Sequence, residues 1–223
     1  MPSTMPVTES ELLSLLQDGP QASIGTSAEY IDRMASAASH AMLPSSSWRL
    51  MFDTTEENRL QVYHSVITQH LQPGSNLGAF IIEAGDFSVC ASWWPPGSHE
   101  PPKNISIEGL EDADGQNESI MAASSRKVDR IHTENVWWKY GQDFWHLVLL
   151  ARDPRKAHTR GAVRAVLKPV VDRAAAEGKP IWVVTTSEHA RNVYLHFGWR
   201  LVDTVTVREC SQWCLILNPP RCD

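Results

Sequence analysis

The sequence has few cysteines, no excess of positive charge and no long apolar run. Its four cysteines, Cys90, Cys210, Cys214 and Cys222, form no C-x-x-C pair and no Cys/His group with zinc spacing, so we expect reduced thiols in the cytoplasm and no bound metal. Apolar runs such as residues 147–151 are far too short to cross a bilayer. Residues 1–19 lack the basic and apolar regions of a secretory signal.

The charge balance argues against nucleic acid as a partner. The chain has 20 Lys and Arg against 26 Asp and Glu, and a formal net charge of -6, whereas nucleic-acid binding needs a basic surface. The content of hydrophobic residues (42%) and charged residues (21%) is typical of a soluble globular protein. We therefore predict a single domain over residues 1–223, with residues 1–20 as a flexible arm.

Periodicity predicts two helices and a β-hairpin in the N-terminal half. Apolar residues recur at helical spacing over residues 27–42. A capping box at Thr54-x-x-Glu57 predicts the start of a second helix, which ends at Pro73-Gly74. Two β-rich runs within residues 79–94 surround a short turn and predict the hairpin.

The segment 98–142 is polar and too long for an ordinary connection. We interpret it as a long insertion between strands, either a lid over a ligand cleft or a solvated loop. The tryptophan pairs 93–94 and 137–138 suggest aromatic walls, although tryptophan is also a common core residue.

The C-terminal half alternates strand, helix, strand and helix before a final strand pair. This order predicts locally parallel strands and a mixed sheet, in an α/β or α+β fold. The helix expected over residues 161–177 begins inside a basic cluster, where seven cations stand against only Asp153 and Asp172. A helix N-terminus in such a cluster suits a phosphate, but a solvated basic face remains the alternative. The seven cations are Arg152, Arg155, Lys156, Arg160, Arg164, Lys168 and Arg173.

From the hairpin at residue 79 to residue 219, the chain resembles the GNAT acyltransferase superfamily, and in particular its fungal small-molecule branch. The resemblance is carried by "VLKPVVDRAAAEGKPIWVVTTSEHARNVYLHFGW", by the hairpin "AFIIEAGDFSVCASWWPPG" and by the closing "WRLVDTVTV" and "WCLILNPP". It implies a central mixed sheet of about six to seven strands, flanked by helices, with one splayed strand pair.

The resemblance also implies an acetyl-CoA or other acyl-CoA cofactor. The family's pyrophosphate loop falls on residues 158–163, where His158 and Val163 depart from the usual pattern, so the loop is degenerate. The residues that the resemblance assigns to the cofactor are Leu150, Ala151, Arg152, Arg155, Lys156, His158, Thr159, Arg160, Gly161, Ala162, Val163, Ser187 and Asn192.

Tyr194 is the leading catalytic candidate. It shares an apolar helix face with Ala190, Val193 and Phe197, a pattern equally typical of a core residue. The resemblance implies that its phenol protonates the leaving CoA thiolate, and chemistry agrees that an acid near the sulfur would help. A backbone N–H near Leu150 would stabilise the oxyanion.

A base must also deprotonate the attacking amine. His146 is our first choice, because strand alternation predicts that it shares a face with Val148 and Leu150, and Glu83 is the rival. A strand histidine satisfied by a neighbour is the structural alternative. Trp93 and Trp94 are expected to line the acceptor pocket.

These observations predict an N-acetyltransferase of fungal secondary metabolism that acts on a small amine, as a monomer or homodimer, without nucleic-acid or membrane partners. Two alternatives remain open. The same fold could serve CoA-independent chemistry such as cyclisation, isomerisation or elimination, or it could be a non-catalytic CoA-binding module.

Overall fold

A seven-stranded mixed sheet forms the centre of the computed structural model, which describes residues 20–52, 54–75, 77–98 and 119–218. The strand order is β1-β2-β3-β4-β5-β7-β6, and every neighbouring pair is antiparallel except β4 and β5, which are parallel. The strands are β1 Ala22–Gly25, β2 Phe80–Ala84, β3 Val89–Trp94, β4 Trp145–Arg152, β5 Ile181–Thr185, β6 Arg200–Val207 and β7 Cys210–Leu217. The predicted mixed sheet is therefore confirmed.

Helices cover both faces of this sheet. One face packs against α6 and α7, and the other packs against α1 and α3 at one end and against α4 at the other. A π-helical segment, Thr133–Trp137, connects α4 to α5. The helices are α1 Ala28–Met42, α2 Ser46–Met51, α3 Arg59–Ser75, α4 Ile120–His132, α5 Trp138–Tyr140, α6 Ala162–Ala176 and α7 Glu188–His196. None of these described helices is long and apolar enough to span a membrane.

Local signals set several of these boundaries as expected. The Ser27 hydroxyl accepts a hydrogen bond from the Tyr30 N–H and caps α1. Gly178, at a φ of 66°, lies just beyond the end of α6, in the left-handed region that favours glycine. The predicted hairpin is β2 and β3, joined by a four-residue turn at residues 85–88.

Two helix predictions are corrected. The second helix begins at Arg59, not at the capping box, because residues 56–58 form a turn in which the Asn58 N–H donates to Thr55 O. Residues 120–140, part of the segment interpreted as a long insertion, are helical: Ser119 caps α4, and Ile131 and Val136 pack on the sheet. The rest of the predicted insertion, residues 99–118, lies outside the described residues, as do residues 1–19 of the predicted arm.

Candidate functional site

The parallel strands β4 and β5 separate halfway along their length. They pair from Trp145 with Ile181 to Leu147 with Val183 and no further. Beyond that point β4 remains paired with β3 as far as Arg152, and β5 remains paired with β7 as far as Thr185. The predicted splayed pair is confirmed, and it leaves one edge of β4 facing an opening in the sheet.

A β-bulge lies at the point of separation. Trp93 is opposite Leu147 while Ser92 is opposite Leu149, so Val148 is the extra residue of β4. A bulge bends its strand and leaves one residue out of the ladder. The bulge also shifts the alternation of side chains along β4. As a result Leu147 and Leu150, three residues apart, both pack into the hydrophobic cluster between the sheet and α6, which we call the cluster under α6.

The opening holds a cavity of about 600 Å³. Its wall is formed by β4, by β5 and the loop after it, by α7, and by the segment from the end of α1 into α2. The lining residues are Ala41, Met42, Pro44, Ser45, Ser46, Trp48, Val148, Leu149, Leu150, Ala151, Arg152, Val183, Val184, Thr185, Thr186, Ser187, His189, Ala190 and Tyr194.

Solved structures with a similar fold include proteins described as acetyltransferases. The chain is 16% identical to the polyamine N-acetyltransferase of Drosophila melanogaster, with a TM-score of 0.58 over 89% of this chain and 100% of that one. It is 15% identical to a Corynebacterium glutamicum protein described as histone acetyltransferase HPA2 and related acetyltransferase, with a TM-score of 0.59 over 92% and 99% of the two chains. This chain has the GNAT fold.

Among curated sequences, a relative is an uncharacterized N-acetyltransferase of Schizosaccharomyces pombe. It is 23% identical over 170 residues, which span 71% of this chain and 66% of the relative. No protein-family model matches the chain. The resemblance read from the sequence is therefore confirmed for the GNAT fold, and a fungal relative accompanies it.

Tyr194 lies in the cavity wall of this GNAT fold. Its ring packs against Trp199, with centroids 5.5 Å apart, and the residue is 3% exposed. Burial raises the pKa of its phenol well above the ordinary value, so the hydroxyl keeps its proton. Tyr194 is therefore a buried residue that also lines the cavity, and its catalytic role stays a prediction.

The residues predicted to hold the cofactor fall into two groups. Leu150, Ala151, Arg152 and Ser187 line the cavity. The Ser187 hydroxyl also caps α7 by accepting a hydrogen bond from the Ala190 N–H at 3.3 Å. Asn192 is exposed on α7 outside the cavity wall, where its side-chain oxygen accepts hydrogen bonds from Arg191.

The predicted pyrophosphate loop leads directly into α6. Gly161 precedes this helix at a φ of 83°, and no side chain caps the helix start. The Thr159 hydroxyl lies 3.2 Å from the Ser88 hydroxyl and is held against the hairpin turn. Val163 packs against the core, so its β-branched side chain does not crowd the helix start. His158 and Arg160 are exposed.

Four cations of the basic cluster are paired within the protein: Lys168 pairs with Asp172 and Arg173 with Glu177 along α6, and Arg155 and Lys156 pair beside the loop. Arg155 donates to Asp153 Oδ2 at 2.6 Å, and this hydrogen bond holds the pKa of the buried Asp153 carboxyl below its ordinary value. Lys156 Nζ donates to Asp86 Oδ2 at 2.6 Å, and Asp86 also pairs with Arg33. Hydrogen bonds from Lys156 and Arg33 lower the pKa of Asp86.

This pairing predicts unequal roles for Lys156 and Arg160 in holding CoA. We expect Arg160→Ala to weaken CoA binding roughly fivefold in low salt, because an exposed cation beside a helix start attracts phosphate and is screened by ions. Lys156→Ala should change the dissociation constant by less than about twofold, since the Lys156 ammonium is already hydrogen-bonded to Asp86 and directed at the hairpin turn. Calorimetric titration at two salt concentrations measures both; an equal or larger loss in Lys156→Ala would contradict this assignment.

The two candidate bases differ in their surroundings. The ring of His146 lies 6.3 Å from that of Trp94, and the Trp94 ring also lies 6.4 Å from that of His70 on α3. His146 therefore lies on the α3 side, whereas Leu150 packs under α6, so the expectation that they share a face is wrong. The Glu83 carboxylate accepts hydrogen bonds from the Ser23 hydroxyl and, at 2.7 Å, from the Phe87 N–H. Glu83 holds the hairpin turn, and neither Glu83 nor His146 belongs to the cavity wall.

Trp93 is a core residue and not a pocket wall. Its side chain is fully buried between the sheet and α6, and its indole N–H donates to Val166 O at 3.2 Å. Trp94, on the opposite face, is partly exposed. A tryptophan that does line the cavity, together with Tyr194, is Trp48, which the sequence reasoning missed because α2 is only six residues long. The sequence signal that could have revealed α2 is Ser45, a typical helix-capping residue, whose hydroxyl accepts a hydrogen bond from the Trp48 N–H.

Proposed function

We propose that this protein is an acetyl-CoA-dependent N-acetyltransferase acting on a small-molecule amine in the cytoplasm. The observation that carries the proposal is the cavity between β4 and β5, which brings the unpaired edge of β4 and the Tyr194 side chain to one space. Backbone donors beside a neutral phenol suit acyl transfer from a thioester.

The residues present fit the cofactor. The β4 edge beyond Leu147 has no strand partner on the β5 side, so its amides are available to the amide groups of a pantetheine arm. The first N–H groups of an α-helix have no partner within the helix, and Gly161 supplies no capping side chain. Together with the exposed Arg160, this helix start suits a pyrophosphate.

Acetyl-CoA, when bound, supplies an activated acyl group and a thiolate leaving group. Tyr194 is proposed to donate a hydrogen bond to the thiolate, and the N–H groups around the Val148 bulge to donate to the carbonyl oxygen. His146 is the proposed base, and because it lies outside the cavity wall it would act through water, while Glu83 holds the hairpin turn.

Two fold neighbours act on small amines, which supports the choice of acceptor. The Drosophila enzyme is described as a polyamine N-acetyltransferase that forms N-acetylagmatine. An Aedes aegypti neighbour, 12% identical with a TM-score of 0.55, is described as an arylalkylamine N-acetyltransferase. We propose no nucleic-acid or membrane partner, and a monomer or homodimer remains the expectation.

Calorimetric titration with acetyl-CoA and desulfo-CoA tests the proposal. We expect saturable binding of both, and thiol release when an amine is added. Ala190→Trp, which puts a large side chain into the cavity wall, should abolish binding, whereas the control Ala176→Trp, on the exposed end of α6, should not. Absence of binding at millimolar acetyl-CoA would refute the proposal, and turnover of a substrate by CoA-free protein would favour CoA-independent chemistry.

A further inference from the structure

We propose that the amine acceptor is a monoamine with an aromatic or apolar body, held against Trp48. This inference rests on the proposed acyl transfer and names its second substrate. The site is the part of the cavity formed by residues 41–48, which we call the α1–α2 corner.

The indole of Trp48 packs against two other aromatic rings. Its ring lies 5.0 Å from that of Tyr63 and 5.1 Å from that of Phe52, and Tyr63 is fully buried. The Ser45 hydroxyl caps the start of α2 through the Trp48 N–H. Trp48 thus reaches the cavity from a fixed position, and a preorganised aromatic surface binds a flat ring with little loss of side-chain entropy.

The charges of the described cavity wall favour a monoamine over a polyamine. Among the described residues of the wall there is no aspartate or glutamate, and the ionisable side chains are Arg152, His189 and Tyr194. A second ammonium group would be desolvated beside this wall without a carboxylate to pair with. A monoamine avoids this cost, because its only charge is removed when the base takes the proton.

The cavity also separates the two substrates. Tyr194 and Ala190 pack with the cluster under α6 and α7, whereas Ala41 and Trp48 pack with the cluster under α1 and α3, on the opposite face of the sheet. The opening between β4 and β5 connects these two sides. An amine at the α1–α2 corner therefore approaches the Val148 bulge from the side opposite to Tyr194.

The test compares phenylethylamine, ethylamine, putrescine and spermidine as acceptors, with thiol release as the readout. We expect kcat/KM for phenylethylamine to exceed that for either polyamine by about tenfold or more. Trp48→Ala should raise the KM for phenylethylamine about tenfold, a factor that corresponds to the loss of one aromatic contact. The same substitution should change kcat/KM for ethylamine by less than about threefold, because ethylamine has no ring to contact Trp48. Trp48→Phe should recover most of the loss, and the control Trp138→Ala, whose side chain is 63% exposed on α5, should behave as wild type.

Saturation-transfer NMR of phenylethylamine with the desulfo-CoA complex gives a readout that does not depend on turnover. The signal should be strong for wild type and Trp48→Phe and lost in Trp48→Ala, with thermal unfolding used to verify that each variant is folded. A preference for polyamines, or equal losses for phenylethylamine and ethylamine, would overturn the assignment of the acceptor while acetyl-CoA binding persists. Loss of acetyl-CoA binding itself would instead overturn the proposed acyl transfer.

Discussion

Tyr194→Phe is expected to lower kcat roughly 100-fold while leaving the KM for acetyl-CoA nearly unchanged. Removing one donor to a developing negative charge typically costs this much. The variant keeps the aromatic ring that packs on Trp199, so only the hydroxyl is lost. Burial raises the pKa of the Tyr194 phenol, which makes it a hydrogen-bond donor throughout the neutral range rather than a group that titrates there. Steady-state kinetics at saturating amine measure the effect.

The pH profile and the melting temperature serve as controls for this variant. Because Tyr194 stays protonated in the neutral range, wild type and Tyr194→Phe should show pH-rate profiles of the same shape at different heights. Thermal unfolding should show nearly the same midpoint for both. A variant with the rate of wild type would assign protonation of the thiolate to solvent and leave Tyr194 as a core residue.

The part of the site that could be predicted from sequence depends on local signals. The order of β4, α6, β5 and α7 follows from short periodic segments separated by glycine and proline, and it places Tyr194 near the splayed strands. The glycine at position 161 marks the start of α6 in the same way. Such signals act within one turn of a helix or a few residues of a strand, so one sequence is enough to read them.

The part that could not be predicted depends on contacts between distant segments. Trp93 and Trp94 are adjacent and chemically identical, and only the packing of α6 makes the first a core residue. The bulge at Val148 exists only relative to β3, yet it reverses the face on which Leu150 lies with respect to His146. The sequence does not show that Lys156 has an acidic partner, because only the folded hairpin turn brings Asp86 beside it.

His132→Phe is expected to gain stability relative to wild type as the pH falls. Between pH 7.5 and pH 5, the difference in unfolding free energy between variant and wild type should shift by about 2 kcal/mol in favour of the variant. The His132 ring lies 5.1 Å from that of Phe144 and 5.3 Å from that of Trp182, and its Nε2 is buried without a hydrogen-bond partner among the described residues. Burial lowers the pKa of His132 to about 4, compared with about 6.5 in an unfolded chain. Below pH 6.5 His132 therefore binds a proton in the unfolded chain but stays neutral in the folded protein. The free energy of unfolding of wild type consequently falls as the pH is lowered, until about pH 4.

Urea denaturation of both proteins at the two pH values measures this difference, because groups common to both, including the Asp129 carboxyl whose pKa is raised by burial, largely cancel. The matched control is His158→Phe, the same replacement at an exposed position outside the core. For His132→Phe, a difference that does not change with pH would mean that the folded protein accepts the proton as readily as the unfolded chain. Water would then reach the ring from the end of α4, and the contact of His132 with Phe144 and Trp182 would open in solution.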